Sequence, residues 1–140
     1  IRYEIEKMLI TGQLKTADIP ACWNEQYKKY LGVTVPGDGQ GCLQDVHWSH
    51  GSFGYFPTYS LGSFYAAQFF HKAQQEIPGM ELEMENGHTS ALLQWLRQRV
   101  HVHGRTYTSG ELCEKATGEP LKVQYFLDYI LDKYRKMYQF

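Results

Sequence analysis

GCLQDVHWSHGSFGYFPTYSLGSFYAAQ, residues 41–68, changes character halfway along. From about Tyr55 onward it reads as the start of a long helix running to Gln75, with Pro57 near its beginning, where proline is tolerated. Gly62, Ser63, Ala66 and Ala67 give that helix a side of small residues on which another helix can approach closely. The first half, 42–54, reads as irregular chain or short helical turns, punctuated by Gly51 and Gly54. A helix built only for packing does not use glycine this densely, because each interior Gly costs about 1 kcal/mol against Ala. Within thirteen positions the stretch carries His47, His50, Tyr55 and Tyr59, beside Gln44, Asp45 and Trp48. Converging imidazoles and phenols are the groups an enzyme uses to grip a polar substrate and a charged transition state.

The segments on either side are helical. Residues 1–10 place Ile1, Ile5, Met8 and Leu9 on one helical face. The pattern starts without a cap and reads as the end of a helix, so a C-terminal piece of a longer protein is expected. Asp18 can cap a second helix with Pro20 in its first turn; Trp23, Tyr27 and Tyr30 or Leu31 form its inner face, and Gly32 suits the position just past its end. Residues 33–41 form a loop, with Val33–Val35 too short to read firmly as a strand. Beyond the long helix, Ile77-Pro78-Gly79 is a break and Met80–Glu85 a short helix. Thr89 can cap the next helix, with Leu92, Leu93, Leu96 and Val100 inward. Thr108-Ser109-Gly110-Glu111 has capping-box spacing and opens a helix ending near Gly118. Phe126, Leu127, Ile130, Leu131, Tyr134 and Met137 make an apolar stripe on a final helix over 123–138. The fold class is all-α: a helical array with one long loop.

The composition fits this reading. The 140 residues are enough for one domain, and 43% hydrophobic and 15% aromatic content excludes a disordered chain. A net charge of −1 argues against nucleic acid and anionic membranes as partners. Three cysteines, Cys22, Cys42 and Cys113, without CxxC spacing point to a reducing compartment, most simply the cytoplasm.

Three residue patterns bear on chemistry. His47 and His50, three apart, lie on one side of a helical turn and with Asp45 could ligate zinc, although HxxH beside an Asp is a weak metal signal and histidines near tryptophan and tyrosine are more often hydrogen-bonded cleft residues. Tyr55 and Tyr59, four apart, lie on the same helix face, and a phenol donates well to a developing oxyanion. His101 and His103 suit the negative end of a helix dipole. HExxH, the GxSxG elbow, a phosphate-cradling glycine loop and a Cys-His signature do not occur in these 140 residues.

Gly41-Cys42-Leu43-Gln44-Asp45-Val46-His47-Trp48 resembles the GxxQDxHW motif of the thermostable carboxypeptidase Taq family of zinc metallopeptidases. ADIPACWNEQYKKYLG before it is similar to that family's C-terminal region, as are HWSHGSFGYFPTYSLGSFYAAQ, WLRQRVHVHGRTYTSGELCEKATGEPL and YFLDYILDKY. The resemblance implies that residues 1–140 are one C-terminal portion of a larger, mostly helical, groove-containing catalytic domain. Its HPF, DxRxT, HExxH, HES/GQ and IRxxAD motifs would lie N-terminal to this part, and IRYEIEK resembles the segment just after the last of them. The intact protein would use zinc or another divalent metal to remove C-terminal amino acids from peptides and would form a homodimer. No residue of this chain would ligate the metal, so the piece would be inert without its missing N-terminal portion. Tyr59, and Tyr55 next, would donate to the oxyanion; His47 and His50 would hold the substrate main chain or the oxyanion; Gln44 and Asp45 would orient them. The pattern of His50, Tyr55 and Tyr59 is also similar to a histidine–tyrosine array in thimet-type oligopeptidases. The rival readings are a free-standing helical peptide-binding module and a small zinc enzyme built on His47, His50 and Asp45.

Overall fold

A computed structural model describes residues 1–139. Among these the regular structure is helical throughout: α1 Arg2–Ile10, α2 Ile19–Leu31, α3 Val46–Ser49, α4 Pro57–Glu76, α5 Met80–Glu85, α6 Ser90–Arg99, α7 Ser109–Thr117 and α8 Gln124–Tyr138, with short 3₁₀ turns between some of them. The Val33–Val35 run is extended chain without strand pairing. The residues divide into two compact units, 1–60 and from 61 on.

In the first unit, α1 and α2 bury Ile5 and Trp23 together with Cys42 from the loop. Trp23 stacks on Tyr27 with ring centroids 4.8 Å apart and meets Trp48 edge-on at 5.7 Å. Gly41 is glycine for want of room: a Cβ there would sit 2.8 Å from Val35 Cγ1 and 3.1 Å from the Gly37 carbonyl. Two expectations for α2 change. Tyr30 and Leu31 are exposed, and the Tyr30 hydroxyl donates to Glu4 at the surface (3.1 Å), so the inner face is made by Trp23 and Tyr27 together with Ile19 and Cys22. Asp18 occupies the N-cap position but its side chain caps nothing, because the 3₁₀ turn Thr16–Asp18 already holds it in helical conformation.

The second unit centres on Ala73, Met80 and Trp95. Trp95, rather than Leu93, is the residue α6 buries most; Leu93 is exposed. The Trp95 indole donates to Glu76 Oε2 at 2.7 Å, and Arg99 reaches the same oxygen at 3.1 Å. Gln68, buried on α4, accepts from the Lys122 amide and donates to Thr117 Oγ1 and the Pro120 carbonyl, fixing the turn after α7. The capping box at Thr108 and Glu111 forms, and Gly118 ends α7 in the left-handed conformation. The α8 stripe is only half covered: Phe126 packs on Phe64 (5.2 Å) while Leu127, Leu131, Tyr134 and Met137 stay exposed. A groove of about 1030 Å³, with Phe70, Met84 and Phe126 among its lining, runs beside them.

The Glu76 contacts set a pH dependence. The Trp95 indole chiefly, with Arg99 and Lys72, holds the Glu76 carboxyl below its ordinary value of 4.5 against a smaller opposing effect of burial. A depressed carboxyl contributes stability above its unfolded value and loses it as pH falls through the folded value. Trp95→Phe should therefore flatten the fall in stability as pH drops through and below the ordinary carboxyl value of 4.5. Urea midpoints across that range would measure it, and an unchanged slope would refute it.

Candidate active site

The short helix α3 exists because Asp45 caps it. Asp45 Oδ1 accepts from the His47 and Trp48 amides at 2.9 and 3.0 Å. Its other oxygen lies 2.9 Å from Arg2 Nε, an ion pair whose angle falls short of hydrogen-bond geometry. Asp45 is buried. Four residues along α1 from Arg2, Glu6 is also buried and takes both remaining anchors: Trp48 Nε1 at 2.9 Å and the Gly54 amide at 3.2 Å. Gly54 has φ +79°, which a residue with a Cβ rarely adopts. One face of α1 thus clamps the segment at its start, middle and end.

This clamp delivers the aromatic groups to one place. His47 Nε2 lies 3.2 Å from the Tyr59 hydroxyl. The Tyr55 ring stacks on His47 at 5.8 Å and meets Tyr59 edge-on at 5.6 Å. Phe56 packs edge-on against both His47 (5.4 Å) and Tyr59 (5.7 Å). His50 sits 5.9 Å from His47, ring to ring, with Nδ1 bonded to Ser52 Oγ at 3.0 Å. Tyr55 and Tyr59 are each more than half exposed, so the cluster opens outward. Gln44 is turned elsewhere: its amide donates to the Gly39 carbonyl and braces the loop.

The two tyrosines come together by a different route from the one their spacing suggests. α4 begins at Pro57, not Tyr55. Proline fixes its own φ for the first helical turn and disfavours helical conformation in Phe56 before it, so Tyr55 lies outside the helix, with its ring stacked on His47. Arg2, Glu6 and Phe56 are the residues that spacing did not reveal. The available signal was a pair of opposite charges four apart, flanking Ile5 on the face of α1 that packs inward.

The cluster has hydrogen-bond donors and acceptors in place. Burial first, then Asp38, pushes the neighbouring Cys42 thiol up, keeping it protonated and unreactive at neutral pH. Among the described residues no group of three or more His, Cys, Asp or Glu is placed to hold a metal ion. Asp45 in particular has both oxygens committed, one to two amides and the other to Arg2. These residues do not fit the zinc set of His47, His50 and Asp45.

The profile of the carboxypeptidase Taq (M32) metallopeptidases matches residues 1–134. The chain belongs to that family. It is 44% identical to Carboxypeptidase 1 of Bacillus subtilis over 138 residues, covering 99% of this chain and 28% of that protein. The solved structure of a protein called CHT is 59% identical, with a TM-score of 0.90, over 94% of this chain and 27% of that one. The M32 carboxypeptidase of Deinococcus radiodurans R1 superposes with a TM-score of 0.94 at 38% identity, covering 99% of this chain and 28% of that chain. The chain therefore spans a little over a quarter of the length of the carboxypeptidase Taq relatives it matches.

Proposed function

We propose that these residues form one wall of the catalytic groove of a metal-dependent carboxypeptidase that removes C-terminal amino acids from peptides. The observation that carries this reading is the exposed His47–Tyr59 pair, with Tyr55 stacked on the imidazole. The Lewis-acid polarisation of the scissile carbonyl and the activation of water would be supplied by a divalent metal, zinc in the first instance. Its ligands would come from sequence outside these 140 residues. Tyr59 would donate its phenolic hydrogen to the carbonyl oxygen as negative charge develops there. His47 would hold the phenol, and His50 and Tyr55 would contact the substrate main chain. Asp45 and Gln44 would keep their segment in place through the contacts described above. The intact enzyme would be a homodimer, and the unpaired cysteines suit a cytoplasmic setting. No helix is long and apolar enough to cross a membrane among the described residues.

The 140-residue chain alone should not hydrolyse peptides at any zinc concentration, and turnover should return when it is joined to the metal-bearing part. The exposed side of α8 would then be covered by the rest of the catalytic domain, so the isolated chain should self-associate. Peptidase assays with a zinc titration, run beside sedimentation velocity, test both statements. Turnover by the chain alone would support the small zinc enzyme instead. A strict monomer that binds peptides without metal would support the binding module.

A further inference from the structure

We propose that Arg2 is a positioning residue for the Tyr59 phenol, acting through Asp45 and His47. This rests on the reading of Tyr59 as the oxyanion donor. The Arg2 guanidinium lies 4.5 Å from the Phe56 ring centroid and 5.4 Å from that of Trp23, with Nε 2.9 Å from Asp45 Oδ2. It touches both routes to Tyr59. One runs through Asp45 to His47, the other through Phe56, whose ring packs on His47 and Tyr59 alike. A flat cation suits this place, since guanidinium stacks on aromatic faces while pairing with a carboxylate at its edge.

The Asp45 route fixes a proton position. Asp45 Oδ1 is 3.7 Å from His47 Nδ1, too long for a hydrogen bond but close enough for its charge to act. A lone pair on Nδ1 would face that carboxylate, so the neutral ring carries its proton there. Nε2 is then the acceptor, and the Tyr59 hydroxyl at 3.2 Å is the donor. The imidazole thus holds the phenol in the cluster until a developing charge on a substrate oxygen competes for its hydrogen. With Arg2 removed, Asp45 loses its only cationic partner among the described residues and Phe56 loses a packing face, so both ends of the hold on Tyr59 slacken.

The test compares Arg2→Met, Arg2→Lys, Tyr59→Phe and the double variant Arg2→Met/Tyr59→Phe in the full-length protein. The readouts are kcat, KM and the ¹⁵N spectrum of selectively labelled histidine. Arg2→Met should lower kcat about tenfold, the scale of a modest misplacement of a reacting group, with KM within about twofold. Arg2→Lys, which keeps the charge but not the planar contact, should recover part of that loss. In the unsubstituted protein His47 should show the Nδ1-protonated form, with a mixture in Arg2→Met. The double variant should be little slower than Tyr59→Phe alone, because both changes remove one function. Full additivity, or an unaltered His47 spectrum in Arg2→Met, would overturn the proposal. If Arg2→Met does not fold, Arg2→Lys is judged by the same spectrum and the same additivity. If Tyr59→Phe alone leaves kcat intact, the oxyanion reading fails, whereas the His47 spectrum still reports on Arg2 independently.

Discussion

Tyr59→Phe in the complete enzyme should lower kcat by about 10²–10³-fold while KM changes little, the usual consequence of deleting one oxyanion donor. The substitution removes a single oxygen and its hydrogen. The ring remains, so its edge-on contacts with Tyr55 at 5.6 Å and Phe56 at 5.7 Å survive and the fold should not change. What is lost is the hydroxyl that meets His47 Nε2. Because the donor matters only once charge builds on the substrate oxygen, ground-state binding should hardly register the change. Tyr55→Phe is the natural control. Its ring also contacts His47, stacked where Tyr59 is edge-on, and a much smaller effect there would assign the role to the second phenol. Equal kcat values for Tyr59→Phe and the unsubstituted enzyme would remove Tyr59 from the chemistry.

The second large effect should come from Glu6, which touches none of the reacting rings. Glu6→Ala deletes a buried carboxylate that accepts from the Trp48 indole and the Gly54 amide. Two donors lose their partner inside the packing, and charge-assisted bonds are the stronger kind. A loss of about 3 kcal/mol in unfolding free energy is expected. Urea denaturation followed by tryptophan fluorescence would read it, since Trp48 is one of the reporters. Glu6→Gln retains one acceptor and should lose less. Because Gly54 directly precedes Tyr55, the Ala variant should also weaken catalysis beyond its effect on stability. A change under about 0.5 kcal/mol, the usual scale for surface substitutions, would mean that Glu6 does not anchor this segment.

The helices were legible in the sequence wherever local chemistry sets a boundary. Gly32 and Gly118 take left-handed conformations at helix ends, Pro57 opens α4, and Thr108 with Glu111 closes a capping box. Each device acts within a few residues, so spacing alone reveals it. The reach of burial was less visible. Periodicity identified the apolar side of α8 and of the last turn of α2, but not what covers it, and Leu31, Leu127 and Met137 are exposed. The density of imidazoles and phenols pointed to one place, and His47, Tyr55 and Tyr59 do meet there. Its supports were hidden because they come from far along the chain: Glu6 to Trp48 spans 42 positions and Glu6 to Gly54 spans 48. Nothing in the motif itself announces that two charges on α1 hold it.

The central claim is that the Tyr59 hydroxyl faces the peptide bond being cut. A crystal structure of the complete enzyme with a phosphinic peptide, whose tetrahedral phosphorus mimics the attacked carbon, tests it most directly. Tyr59 Oη should lie about 3 Å from a phosphinate oxygen, the distance of a working oxyanion donor, with His47 still beside the phenol. An inhibitor bound at the metal with Tyr59 facing away from it, and another donor on that oxygen, would contradict the account.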